Sequence, residues 1–119
     1  MAARTPFLCG IARSIEVTDA PPYLELGQYL AVHRLDVERV LEVLDHVDVA
    51  FLARRVACPA WISVGLADAT CPPSGIFAAI NAITAVVPHV TTCSYNGHEA
   101  GGPHDDAHLA GWLAAHLTP

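Results

Sequence analysis

Basic side chains are scarce. Lysine and arginine together number six against twelve aspartates and glutamates, for a net charge of −6. No basic stripe offsets that balance, so nucleic acid is excluded as a partner. Charged residues make up only 15% of the chain, too few for a disordered segment. Long apolar runs are missing too: none reaches the roughly 18 residues that a membrane span needs. The opening stretch Met1-Ala2-Ala3-Arg4-Thr5-Pro6 carries one charge and then a proline, with no apolar core behind it, and does not read as a signal peptide. The four cysteines, Cys9, Cys58, Cys71 and Cys93, form no C-x-x-C pair. They read as reduced thiols in a cytoplasmic protein. Internal repeats and low-complexity segments are absent.

What is present is apolar. Of 119 residues, 53% are hydrophobic, and the mean hydropathy is +0.39. The length allows one domain at most. Such a composition means that the chain buries a large share of itself or expects a partner surface to cover it.

Periodicity divides the chain. Pro6 to Cys9 is a short apolar run stopping at Gly10, and reads as a buried strand. Asp19-Ala20-Pro21-Pro22 breaks the chain. From Tyr23 the pattern is helical, with Leu24, Leu26, Tyr29, Leu30 and His33 three and four residues apart. A second helix is expected over Val37 to Leu44, with Val40, Leu41 and Leu44 on one face, and a third from about Val49 to Arg55. The period then changes. Trp61 to Val64, ending at Gly65, reads as a strand buried on both faces. A helix follows Cys71-Pro72-Pro73, with Ser74 as N-cap and Ile76, Phe77, Ile80 and Ile83 as its stripe. His89 to Tyr95 is the next strand, and Asn96-Gly97 the turn after it. The last helix is expected from about Asp105 to Leu117, with Leu109, Trp112, Leu113 and Leu117 inward. Strand, helix, strand, helix implies an α/β fold with parallel strands and crossover helices.

In such a sheet the working residues sit just past the carboxyl ends of the strands. Asp68 follows the Trp61–Val64 strand, and His98 follows the His89–Tyr95 strand. If those strands are neighbours, the two side chains meet at one edge of the sheet. An aspartate there accepts from one ring nitrogen of the histidine and frees the other as a general base. The bland alternative is a loop aspartate and a solvated loop histidine. His98, Glu99, His104, Asp105 and His108 also cluster in sequence, but their spacing fits no common zinc pattern, and no metal is expected there.

The local sequences say more. Val64-Gly65-Leu66-Ala67-Asp68, Cys71-Pro72-Pro73-Ser74, Phe77-Ala78-Ala79 with Asn81, and Tyr95-Asn96-Gly97-His98-Glu99 resemble the acetyl xylan esterase / cephalosporin-C deacetylase family. So do Pro6-Phe7-Leu8-Cys9, Ile15-Glu16, Asp48 and Arg55 at their spacings. The resemblance implies the C-terminal part of an α/β-hydrolase fold over residues 1–119, with about three parallel strands and helices inserted before the second of them. It implies a serine esterase that deacetylates short xylo-oligosaccharides and cephalosporin C, without metal or organic cofactor. The family is intracellular and often hexameric, so a homo-oligomer is implied. Asp68 takes the place of the triad acid and His98 that of the triad base. Three positions depart from the pattern. Ala100 stands where the family prefers glycine, Phe51 replaces an asparagine, and one extra residue separates Asp68 from His98.

The nucleophile is the larger departure. None of Ser14, Ser63, Ser74 and Ser94 lies in the G-x-S-x-G elbow that an α/β-hydrolase requires. Cys71 is close to Asp68 in sequence but reads as structural. Two expectations follow from this. In one, the chain is an esterase portion that is inactive alone. In the other, it is an association module or half-enzyme that completes a site with a separate N-terminal chain.

Overall fold

The structure is a computed structural model that describes residues 1–117. Three parallel strands form its sheet: β1 (Ala2–Arg4), β2 (Trp61–Gly65) and β3 (His89–Cys93), in the order β1-β2-β3. Six α-helices surround them: α1 (Ile11–Val17), α2 (Tyr23–Val32), α3 (Val37–Leu44), α4 (Val49–Leu52), α5 (Pro73–Ala82) and α6 (Gly102–Leu117). A 3-10 turn, Ala53–Arg55, continues α4. The expected α/β architecture with parallel strands and crossover helices is therefore present.

β2 is the centre. All five of its residues are buried, as the continuous apolar run from Trp61 predicts for a strand covered on both faces. Its register places Ala3 beside Ile62 beside Val90, and Arg4 beside Ser63 beside Thr91. Side chains alternate across a strand, which sorts the layers. Ile62, Val64 and Val90 face the apolar cluster built with Cys71, Ile76, Ala79, Ile80 and Ile83, so α4 and α5 cover that face. Arg4 reaches Asp105 and Asp106 of α6 instead, which puts α6 on the opposite face.

Several boundaries differ from the sequence reading. The first strand is Ala2–Arg4 and not Pro6–Cys9. Thr5 and Leu8 take left-handed φ values of 39° and 55°, and Pro6 has no N–H for a ladder, so the apolar run there is a loop packed inward at Cys9. Ser74 is not the N-cap of α5. Pro72 holds that position, its carbonyl taking the Gly75 and Ile76 N–H groups, and Pro73 fills the first helical turn. β3 stops at Cys93 because its carbonyl already accepts from Leu66 and Asn96. α6 begins at Gly102, three residues early. Leu109, Trp112 and Leu113 are half-buried, but Leu117 is exposed. Helix α1 is an addition. Its start is held by Asp48, whose carboxylate accepts from Gly10 N (2.8 Å), Ile11 N (2.6 Å) and Ala50 N (2.7 Å), tying the beginnings of α1 and α4 together.

Candidate active site

β2 and β3 end level, with Gly65 opposite Cys93. Each strand then enters a tight turn, and the two turns are joined through their backbones. Leu66 N donates to Cys93 O and Ala67 N to Asn96 O, both at 3.0 Å. Gly65 permits the approach: a methyl group there would overlap the carbonyls of Gly97 and Asn96. Asp68, just past β2, and His98, just past β3, are thereby delivered to one place.

Their side chains meet. Asp68 Oδ2 lies 3.1 Å from His98 Nδ1. Asp68 Oδ1 accepts from Thr70 N and Cys71 N, each at 2.8 Å, so the carboxylate is buried yet satisfied. The carboxylate side chain is fully covered, whereas the imidazole is 54% exposed. An ionised carboxylate can only accept, so Nδ1 carries the proton and the Nε2 lone pair stays open. Chemically this is an oriented general base, with a fixed negative charge behind it to stabilise the imidazolium once a proton arrives.

The turn carrying His98 is itself held on several sides. Thr5 Oγ1 donates to His98 O at 3.5 Å. Arg4 reaches Glu99 O at 3.3 Å and pairs with Asp106 at 2.5 Å. Its Nε lies 3.6 Å from the buried Asp105 carboxylate. The Glu99 carboxylate accepts from Asn96 Nδ2 (3.1 Å) and Gly97 N (3.2 Å). Its own backbone N–H, the Asn96 amide and the Gly97 N–H hold it below the usual carboxylate range. Ala100, at the position where the resemblance expects glycine, has φ 50° and is buried. A left-handed alanine costs about 1 kcal/mol that a glycine there would not.

Other candidates resolve differently. Cys71 is buried, and its thiol is pushed up to about 11 by that burial and then by the Asp68 charge. That keeps it protonated and unfit as a nucleophile. Ser14 donates to Cys9 O, Ser63 is buried within β2, and no serine hydroxyl bonds His98 among the described residues. His98, Glu99, His104, Asp105 and His108 do not converge. His104 and His108 lie ring against ring on α6, with centroids 4.3 Å apart, while Asp105 turns toward Arg4. Phe51 sits exposed under the Arg54 guanidinium, 5.7 Å from its ring centroid.

Sequence reasoning missed Arg4, Thr5 and Gly65 as supports of the pair. Arg4 lies in a strand too short to show alternation. Gly65 reads only as a strand end, because its close contact is with a turn thirty residues away.

Comparison with known proteins places this geometry. The acetyl xylan esterase family profile matches residues 1–116. The acetyl xylan esterase from Paenibacillus sp. R4 superposes with a TM-score of 0.85 at 30% identity, over 95% of this chain and 36% of that enzyme. Acetyl xylan esterase 1 from Thermoanaerobacterium sp. JW/SL YS485 superposes with a TM-score of 0.78 at 30% identity, over 95% of this chain and 37% of its own. The chain thus spans little more than a third of the length of these solved enzymes. Across that span, in sequence and in fold, it belongs to the acetyl xylan esterase family.

Proposed function

We propose that this chain supplies the acid and the base of an ester-cleaving triad, Asp68 and His98, for removal of acetyl groups from xylo-oligosaccharides or cephalosporin C. The observation that carries the reading is the 3.1 Å pairing of a buried carboxylate with a half-exposed imidazole. The family membership adds the reaction class. The four serines offer no hydroxyl to His98, so the nucleophile belongs to a part of the enzyme outside these residues, and the chain alone is inactive.

In the working enzyme, His98 Nε2 takes the proton of a serine hydroxyl as that oxygen attacks the acetyl carbonyl. The imidazolium then gives the proton to the departing alcohol oxygen, leaving the serine acetylated. Water, deprotonated by the same nitrogen, releases acetate and regenerates the serine. Asp68 accepts from two backbone N–H groups and from Nδ1–H, which keeps the imidazole ring oriented through each proton transfer.

An apolar groove favours a half-enzyme that docks onto a separate N-terminal portion. Ala3, Ile62, Val49, Leu52 and Ile80 line it, beside the unpaired outer edge of β1. The test is complementation. The chain is mixed with the N-terminal portion of an acetyl xylan esterase that carries a G-x-S-x-G elbow, and acetate release from acetylated xylo-oligosaccharide is followed. Activity is expected only in the mixture, and His98→Ala should lower it by about 10⁴ or more. Turnover of p-nitrophenyl acetate by the chain alone, abolished by His98→Ala, would sink the claim that the nucleophile lies elsewhere.

A further inference from the structure

Asp68 and His98 have a third companion that ester hydrolysis does not use. One carboxylate oxygen of Asp68, one ring nitrogen of His98 and the Cys71 sulfur all lie within 4.8 Å of one another. Among the described residues this is the one group of three or more histidine, cysteine, aspartate and glutamate side chains so placed. Cys71 is brought there by the turn around Asp68, since its backbone N–H is bound to Oδ1 of that aspartate.

We propose that this trio is a binding site for a borderline-soft divalent cation of the zinc type. The donor set is one nitrogen, one oxygen and one sulfur, the ligand types that zinc accepts together. Tetrahedral zinc with bonds of about 2.0–2.3 Å sets its donors about 3.4–3.6 Å apart. The Asp68–His98 pair stands at 3.1 Å, so it needs only to relax outward by a few tenths of an ångström. The sulfur lies within 4.8 Å of both other donors and closes the triangle by moving inward by about 1 Å. Asp68 and Cys71 are buried and fix two corners, whereas His98 is exposed and leaves the fourth position open to water or another ligand. As the metal binds, the Cys71 thiol proton passes to solvent, and the His98 ring changes tautomer through solvent, Nδ1 losing its proton to ligate while Nε2 gains one. The His98 ring is then committed to the cation and is withdrawn from base duty.

This site shares two residues with the esterase reading but stands on geometry alone. Cobalt(II) is the probe, because a cobalt–thiolate bond has a charge-transfer absorption in the near ultraviolet that nitrogen and oxygen ligands do not give. Titration of the full chain with cobalt(II) should raise that band to a one-to-one end point, and zinc should displace it. Cys71→Ser should abolish the band, Cys58→Ser should leave it, and His98→Ala should weaken cobalt binding about tenfold or more. The His104–His108 pair on α6 supplies nitrogen only, so cobalt bound there adds no sulfur band. If Cys71→Ser does not fold, judged by circular dichroism, the exposed His98→Ala decides. An unchanged affinity there overturns the site. So does a missing band in the wild-type chain, a band that survives Cys71→Ser, or one lost with the exposed Cys58. A negative cobalt result leaves the complementation assay untouched, and failed complementation leaves the cation site standing.

Discussion

The half that begins at β2 and the helical excursion between β1 and β2 are built on different terms. In the first, β2 is buried at every position, two turns are bolted by backbone hydrogen bonds, and even a methyl group at Gly65 has no room. In the second, α3 has no buried residue, and Val32, Leu35 and Val43 are 78%, 101% and 64% exposed. Its apolar face, with Leu26, Val40 and Leu44, borders an open cavity of about 500 Å³ against α2. The excursion is anchored near its two ends, by Tyr23 and Ser14 on one side and Asp48 on the other. The contrast teaches where precision is kept. Chemistry at the sheet edge is over-determined by backbone geometry, while the excursion presents surface.

The sharpest way to break the contrast is at Gly65. Gly65→Ala should cost about 4 kcal/mol or more, because the clash is with backbone that must move. Urea denaturation followed by circular dichroism measures it, and a cost below 1 kcal/mol would mean that the two turns are not clamped. Next comes Asp48→Ala, which strips three backbone N–H groups of a charged acceptor and should cost about 3 kcal/mol. Hydrogen exchange should show the amides of α1 and α4 losing protection before those of β2. Simultaneous loss would erase the distinction between the regions. The smallest effect belongs to the excursion's surface: Val43→Lys should stay within about 0.5 kcal/mol of wild type in the same denaturation experiment.

The sequence made the sheet half legible because its signals were local. The run from Trp61 to Gly65, the Pro72-Pro73 entry to α5 and the Asn96-Gly97 turn each carry their own physical reason. Asp68 and His98 were readable as strand-end residues, and the structure brings their side chains together. Other features were hidden because they depend on distant partners. Pro6–Cys9 is apolar enough for a strand, but the left-handed Thr5 and Leu8 follow from packing that no short window contains. α1 is short, and its start is capped by an aspartate 38 residues further on. The buried Asp105 beside Arg4 joins residues a hundred positions apart and left no periodic trace.

The two backbone hydrogen bonds between the turns after β2 and β3 have a wider consequence. They set the spacing of acid and base within some thirty consecutive residues, and the other edge of the sheet adds only the brace of Arg4 and Thr5 on the turn that carries His98. The pair travels as a cassette. Whatever part of an enzyme brings the serine has to be aligned once, as a rigid body, against a base whose orientation is already settled.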